Sequence, residues 1–185
     1  MVLQAIRYER GKLEILDQLR LPHELVYVKI KDPQDAWHAI KTMQVRGAPA
    51  IAIVAALSAA VCFKFLFDEE ETMSKVSNRG SNYVKEAISQ TLKFLSTSRP
   101  TAVNLVDAAR KLEAITLKVS ATHPPSHVVD AYVDAAEKML RDDLRDNENI
   151  GSHGAKWIED NAGKLSDQKV SIVTHCNTGC VCCST

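Results

Sequence analysis

The stretch "APAIAIVAALSAAVCFKFLF", residues 48–67, decides the fold. It is apolar except for Ser58 and Lys64, and about 20 apolar residues are what a helix needs to cross a bilayer. Its detail points elsewhere. Seven of its residues are alanine, a weakly hydrophobic type, Arg46 stands just before it, and an acidic run, Asp68 to Glu71, stands just after. The stretch therefore reads as a central helix buried on all sides, in which alanines let neighbouring helices approach closely. No membrane span is expected.

Around this helix the pattern is mixed. Upstream, "LQAIRYER" (3–10) and "KLEILDQL" (12–19) flank Gly11, a plausible turn, and "ELVYVKIK" (24–31) alternates as a half-exposed strand does. Asp32 can cap the next helix, with Pro33 at its first position, where a missing N–H costs nothing. Downstream, Val84, Ala87, Ile88, Thr91 and Leu95 recur at helical spacing after a polar loop, "SKVSNRGSN" (74–82). Leu105, Ala108, Ala109, Leu112 and Ile115 share a second face; Val128, Val129, Tyr132, Ala136, Met139 and Leu140 share a third. A separate short helix, "SHGAKWIEDNA" (152–162), is expected after Gly151. At Lys169 the period changes: "KVSIVTHC" (169–176) is short, apolar and β-branched, as an inner parallel strand would be.

The expected class is α+β. A small β unit spans 1–30, a helical domain spans 31–165, and residues 166–185 form the first strand of a truncated Rossmann-like domain plus a cysteine-rich tail.

Bulk properties narrow the function. Among 185 residues, 45% are hydrophobic, and 23 Lys+Arg balance 23 Asp+Glu. A neutral chain has no overall field to draw it to nucleic acid or to anionic lipid. "MVLQAIRYERGK" (1–12) lacks a signal-peptide core, and unframed cysteines suit a reducing compartment, so a cytoplasmic location is expected.

Three places can carry chemistry. In "QVRGAPAI" (44–51), Gly47 can adopt a backbone shape closed to other residues, the helix start offers N–H groups, and Arg46 adds a planar charged fork. In "STSRPTAVN" (96–104), Pro100 forces Arg99 into an extended shape, and Thr101 can cap the following helix. Two arginines in tight loops beside helix starts suit a small anion gripped from two sides; the plain alternative is two ordinary turns. Third, Cys176 lies at the carboxyl end of the expected strand, where ligands bind in open α/β sheets and where helix amides favour a thiolate. The plain alternative is an inert buried thiol. A metal site is not expected: His175, Cys176, Cys180, Cys182 and Cys183 fall in one short stretch with no second arm.

These stretches, in this order, resemble methylthioribose-1-phosphate isomerase of methionine salvage. The resemblance rests on "AIRYERGKLEILDQLRLP" (5–22), "AWHAIKTMQVRGAPAIAI" (36–53), "STSRPTAVNL" (96–105), "EKMLRDDLRDNENIGSHGA" (137–155) and "VTHCNTG" (173–179). Regulatory subunits of the translation-initiation exchange factor share the fold, and a non-catalytic module of that kind is the alternative. The resemblance implies an aldose–ketose isomerisation of 5-methylthioribose 1-phosphate to 5-methylthioribulose 1-phosphate, without metal or organic cofactor. Arg46, Gly47, Ala48 and Arg99 match the substrate-binding positions and Cys176 the catalytic cysteine. It also implies a homodimer formed largely through a domain this chain lacks, and a cytoplasmic or nuclear location. After Gly179 the chain departs from the family pattern as "CVCCST" (180–185), and the aspartate that serves as proton donor lies in the part not present. The chain alone is therefore expected to be inactive or nearly so.

Overall fold

The computed structural model describes residues 4–68 and 80–162, and Ser171 alone beyond them. Three strands, β1 (Ile6–Glu9), β2 (Lys12–Leu16) and β3 (Tyr27–Ile30), form an antiparallel sheet in chain order. The β1–β2 turn passes through Gly11 at φ +86°, a left-handed shape that glycine adopts without a Cβ penalty. Register pairs Arg7 with Glu14 and Glu9 with Lys12, so opposite charges face each other across the strands. Leu13, Ile15 and Ile30 are fully buried and join the helical core.

Among the described residues five helices follow: α1 (Pro33–Lys41), α2 (Ala48–Asp68), α3 (Gly80–Ser96), α4 (Val103–Ser120) and α5 (Pro125–Ala162). Asp32 caps α1 as expected, its Oδ1 accepting from the Asp35 N–H at 2.9 Å. The central helix α2 is packed by α1, α3, α4, α5 and β2, and every residue from Ala50 to Val61 is buried. It is long and apolar enough by length and composition to cross a membrane, and in this fold protein covers most of it. Ser58, fully buried in it, donates its hydroxyl proton to the Ala55 carbonyl at 2.8 Å, so the polar group is satisfied within the helix.

Three expectations change. The helix expected after Gly151 is the last part of α5, which runs 38 residues without a break, about 57 Å at 1.5 Å per residue. A helical glycine costs only about 1 kcal/mol relative to alanine, and no proline interrupts the stretch, so Gly151 and Gly154 are carried along. Thr101 does not cap α4. Ala102 holds that position without a side-chain bond, because a turn from the Arg99 carbonyl to the Ala102 N–H places the helix boundary there. Ile115 is 38% exposed while Thr116 is buried; the threonine hydroxyl satisfies itself on the Leu112 carbonyl. The strand expected over 170–174 (Ser171 aside), Cys176 and the cysteine-rich tail lie outside the described residues.

The β unit is pinned to α5 by a charged cluster. Arg10 donates from Nε and Nη2 to Glu137 at 2.9 and 2.8 Å, and from Nη2 to Asp134 at 2.7 Å; the Tyr8 hydroxyl donates to Glu137 Oε1 at 2.9 Å. The Arg10 hydrogen bonds, and secondarily the Tyr8 bond, hold the Glu137 carboxyl below its ordinary range against the opposing effect of burial. Burial first, and then the bond to Glu137, push the Tyr8 phenol above its own. A carboxyl whose pKa falls on folding adds stability that is complete above its unfolded pKa and is lost as pH falls through the folded one. We expect the acid limb of a melting-temperature-against-pH curve to flatten in Glu137→Gln, measured by circular dichroism from neutral pH downward; a limb unchanged from the parent would disprove the link.

Candidate functional site

The loop carrying Arg46 is built by the end of α1. Thr42 closes the helix, its N–H and Oγ1 both donating to the His38 carbonyl, at 2.9 and 2.8 Å. Met43 then turns left-handed at φ +63°. The Met43 N–H reaches the Ile40 carbonyl at 3.2 Å and the Gln44 N–H reaches the Ala39 carbonyl at 2.9 Å, the two bonds of a Schellman ending. A non-glycine residue in that conformation costs roughly 1 kcal/mol or more, so the neighbouring contacts must hold it. Val45, 1% exposed, anchors the loop in the core.

Gly47 follows at φ +89°. An added Cβ would meet only Ala50 Cβ at 3.8 Å, ordinary contact, so backbone conformation and not space demands glycine here. Its carbonyl accepts from the Ile51 N–H at 3.0 Å and opens α2. A glycine at this position brings no side chain to accept from the first-turn amides, which leaves them for another acceptor. Ala48 is exposed and Arg46 half-buried, with its Nε donating back to the Met43 carbonyl at 3.3 Å.

Arg99 is held differently. Ser98 is buried, its hydroxyl donating to the Leu95 carbonyl at 2.6 Å, and the turn closes from the Ala102 N–H to the Arg99 carbonyl at 2.9 Å. Trp37 Nε1 of α1 donates to Thr97 Oγ1 at 2.8 Å while its ring stacks on Phe94, centroids 6.0 Å apart. That contact ties the Arg99 turn to the helix that ends in the Arg46 loop.

The structure brings the two helix starts to one place. Pro49 in the first turn of α2 and Asn104 in the first turn of α4 line a common cavity of about 460 Å³. Its floor is apolar, from residues such as Ile53, Leu112 and Met139, and its rim carries four aspartates, Asp107, Asp142, Asp143 and Asp146, with Lys111 and Lys138. The two arginine side chains do not line this cavity. Among the described residues Arg46 and Arg99, like Arg7 and Arg110, make no ion pair, whereas Arg10, Arg20, Arg141 and Arg145 do. Among the described residues no three His, Cys, Asp or Glu side chains gather to hold a metal ion. Cys62, half-buried in α2, has its thiol pushed up by burial and, less, by Asp32; it is not poised as a nucleophile.

The sequence reading did not pick out Asp17 and Gln44. Asp17 is 6% exposed; its Oδ1 accepts from the Leu19 N–H at 3.0 Å and its Oδ2 from Gln44 Nε2 at 3.1 Å. The available signal was a carboxylate directly after the apolar pair Ile15–Leu16 in "KLEILDQL".

The fold is an α+β arrangement in which two glycine- or turn-initiated helices, each preceded by an unpaired arginine, open onto one groove. The chain matches the family model described as the initiation factor 2 subunit family over residues 44–183, past the Gly179 at which the resemblance was expected to stop, and it belongs to that family. It is similar to methylthioribose-1-phosphate isomerase of Pyrenophora tritici-repentis, 54% identical over 181 residues that make up 97% of this chain and 44% of that protein. The protein of the same name from Talaromyces marneffei is 50% identical over 97% of this chain and 46% of its own length. Among solved structures, 5-methylthioribose 1-phosphate isomerase from Pyrococcus horikoshii OT3 superposes with a TM-score of 0.69 at 26% identity, covering 83% of this chain and 40% of that one. Translation initiation factor eIF-2B subunit delta from A. fulgidus superposes with 0.66 at 26% identity, covering 84% and 42%. The chain thus spans less than half the length of each relative.

Proposed function

We propose that this chain supplies the phosphate-gripping half of a methylthioribose-1-phosphate isomerase, an aldose–ketose isomerase of methionine salvage. Arg46 and Arg99 hold the sugar phosphate, the open amides of Gly47 and Ala48 at the start of α2 assist, and Cys176 is the thiol that acts on the sugar. The observation that carries this reading is a pair of half-buried arginines, without ion pairs among the described residues, each in the turn before a helix, the two turns tied together through the Trp37–Thr97 bond. A charge left unpaired and partly desolvated is costly unless an anion answers it. The isomerisation itself moves hydrogen between C1 and C2 with no net oxidation, so the residues needed are an acid, a base and a fixed phosphate.

Fold alone does not separate this from a non-catalytic module, since the translation-factor subunit superposes almost as well as the isomerase. The identity of about half to the isomerases, Arg46–Gly47–Ala48 and Arg99 included in the matched span, favours the enzyme. The test is a titration of isotope-labelled protein with inorganic phosphate and then with methylthioribose 1-phosphate, followed by NMR. Shifts are expected at the Gly47 and Ala48 amides, and Arg46→Ala and Arg99→Ala are each expected to weaken binding about tenfold, the worth of a charge-assisted hydrogen bond. Affinity unchanged in both variants would defeat the reading.

A further inference from the structure

We infer that Asp17 and Gln44 are positioning residues for the Arg46–Gly47 loop, and that bracing this loop is a functional task of the β unit. This rests on the proposed phosphate-gripping role of that loop. Gln44 is fixed at three points. Its N–H donates to the Ala39 carbonyl at 2.9 Å, its carbonyl accepts from the Gln18 N–H at 2.9 Å, and its Nε2 donates to Asp17 Oδ2 at 3.1 Å. Asp17 in turn is anchored where β2 ends: its N–H donates to the Val26 carbonyl at 2.9 Å and its Oδ1 accepts from the Leu19 N–H at 3.0 Å. A nearly buried carboxylate is here committed to an amide and a main-chain N–H and makes no ion pair among the described residues. Such a group is costly to bury unless both oxygens are satisfied, so its placement fixes the atoms that satisfy it.

The consequence falls on Arg46. Arg46 lies two positions after Gln44 and Gly47 three, in a segment bounded by two left-handed residues, Met43 and Gly47. Left-handed shape at Met43 points its carbonyl to Arg46 Nε, the one side-chain hydrogen bond of Arg46 among the described residues. If the Asp17–Gln44 bond is lost, only its two main-chain bonds hold Gln44, and Met43 can relax toward a right-handed shape that removes that carbonyl from Arg46. Asp17 and Gln44 would not touch the anion; they would act through the loop.

The experiment uses the chain with inorganic phosphate as the probe, reading affinity from the Gly47 amide shift and stability from urea unfolding. Gln44→Glu sets two carboxylates against each other and is expected to weaken phosphate about tenfold. Adding Asp17→Asn to it lets the new amide at position 17 donate to the new carboxylate at position 44, and affinity is expected to return to within about twofold of the parent. Gln44→Met removes the amide without adding charge and is expected to weaken binding too, which separates lost bracing from added negative charge. If the variants unfold more easily but bind phosphate as the parent does, Asp17 and Gln44 are structural only and the inference is overturned while the phosphate reading stands. If the parent shows no shift at Gly47, both fall.

Discussion

Replacing Tyr132 with alanine is expected to cost about 3–5 kcal/mol of folding stability. Tyr132 is fully buried at the meeting of α2 and α5; its ring meets Phe63 edge-on with centroids 6.0 Å apart, and its hydroxyl donates to the Ala56 carbonyl at 3.1 Å. The stretch of α2 that includes its hydrogen-bond partner Ala56 is rich in alanines, whose short side chains cannot swing in to fill a hole. The cavity would stay open, which puts the loss at the upper part of that range. Against a total of about 5–15 kcal/mol for an ordinary domain, the variant would be close to unfolding. Tyr132→Phe keeps the ring and loses one hydrogen bond, to a carbonyl already within the α2 ladder, so it is expected to cost only about 0.5–1.5 kcal/mol. Urea unfolding of the two variants separates packing from hydrogen bonding. A phenylalanine variant as damaged as the alanine one would show that the hydroxyl, not the ring, holds the two helices together.

The core was readable because it is periodic. Alanine-rich α2 announced burial on all sides, which holds from Ala50 to Val61 and fails at Phe65 and Leu66, 64% and 38% exposed, where the helix runs past the core; the faces of α3, α4 and α5 were visible at spacings of three and four, and Leu105, Leu112, Val128 and Tyr132 are buried. The cap at Asp32 was readable because it depends on one side chain and the amide three residues on. What was not readable is whatever depends on chain parts distant in sequence. Glu137 reaches back across 127 residues to Arg10, and no local pattern marks either partner. Asp17 reaches Gln44 across 27, and the bond exists only because a strand end and a helix end are packed together. The same holds at the end of α5. Gly151 looks like a stop, yet the helix continues, because a glycine's local cost is small beside the cooperativity of the turns around it. At the candidate site, Arg46 and Gly47 were visible as a motif. The unpaired state of Arg46 and the shared groove of α2 and α4 became visible only with the fold.

The 185 residues by themselves are expected to turn over methylthioribose 1-phosphate at least about 10⁴-fold more slowly than a relative of full length. The chain spans 44% and 46% of the two fungal relatives, so an assay of these 185 residues alone leaves out more than half of the length such a protein has. By the resemblance, the aspartate that would exchange the substrate proton lies in that remainder, and loss of one acid–base group alone costs about 10²–10⁴ in rate. Loss of enclosure costs more. Among the described residues the groove beside Pro49 and Asn104 stands open to water, and an open site forgoes the electrostatic gain that excluding water brings. The surface around it agrees: α5 continues the groove face through Ile150 and Trp157, 70% and 68% exposed, a heptad apart on one side of the helix. Two large exposed apolar residues on one helix face are the kind of surface that further protein covers. The assay is direct: purified chain and purified full-length relative, the same substrate, the same phosphate-free buffer, product measured over hours. The phosphate titration at Gly47 serves as the control that the chain is folded. Turnover within tenfold of the relative would mean that the acid, the base and the water-excluding wall are all present in these residues, and the division of labour proposed for this chain would have to be abandoned.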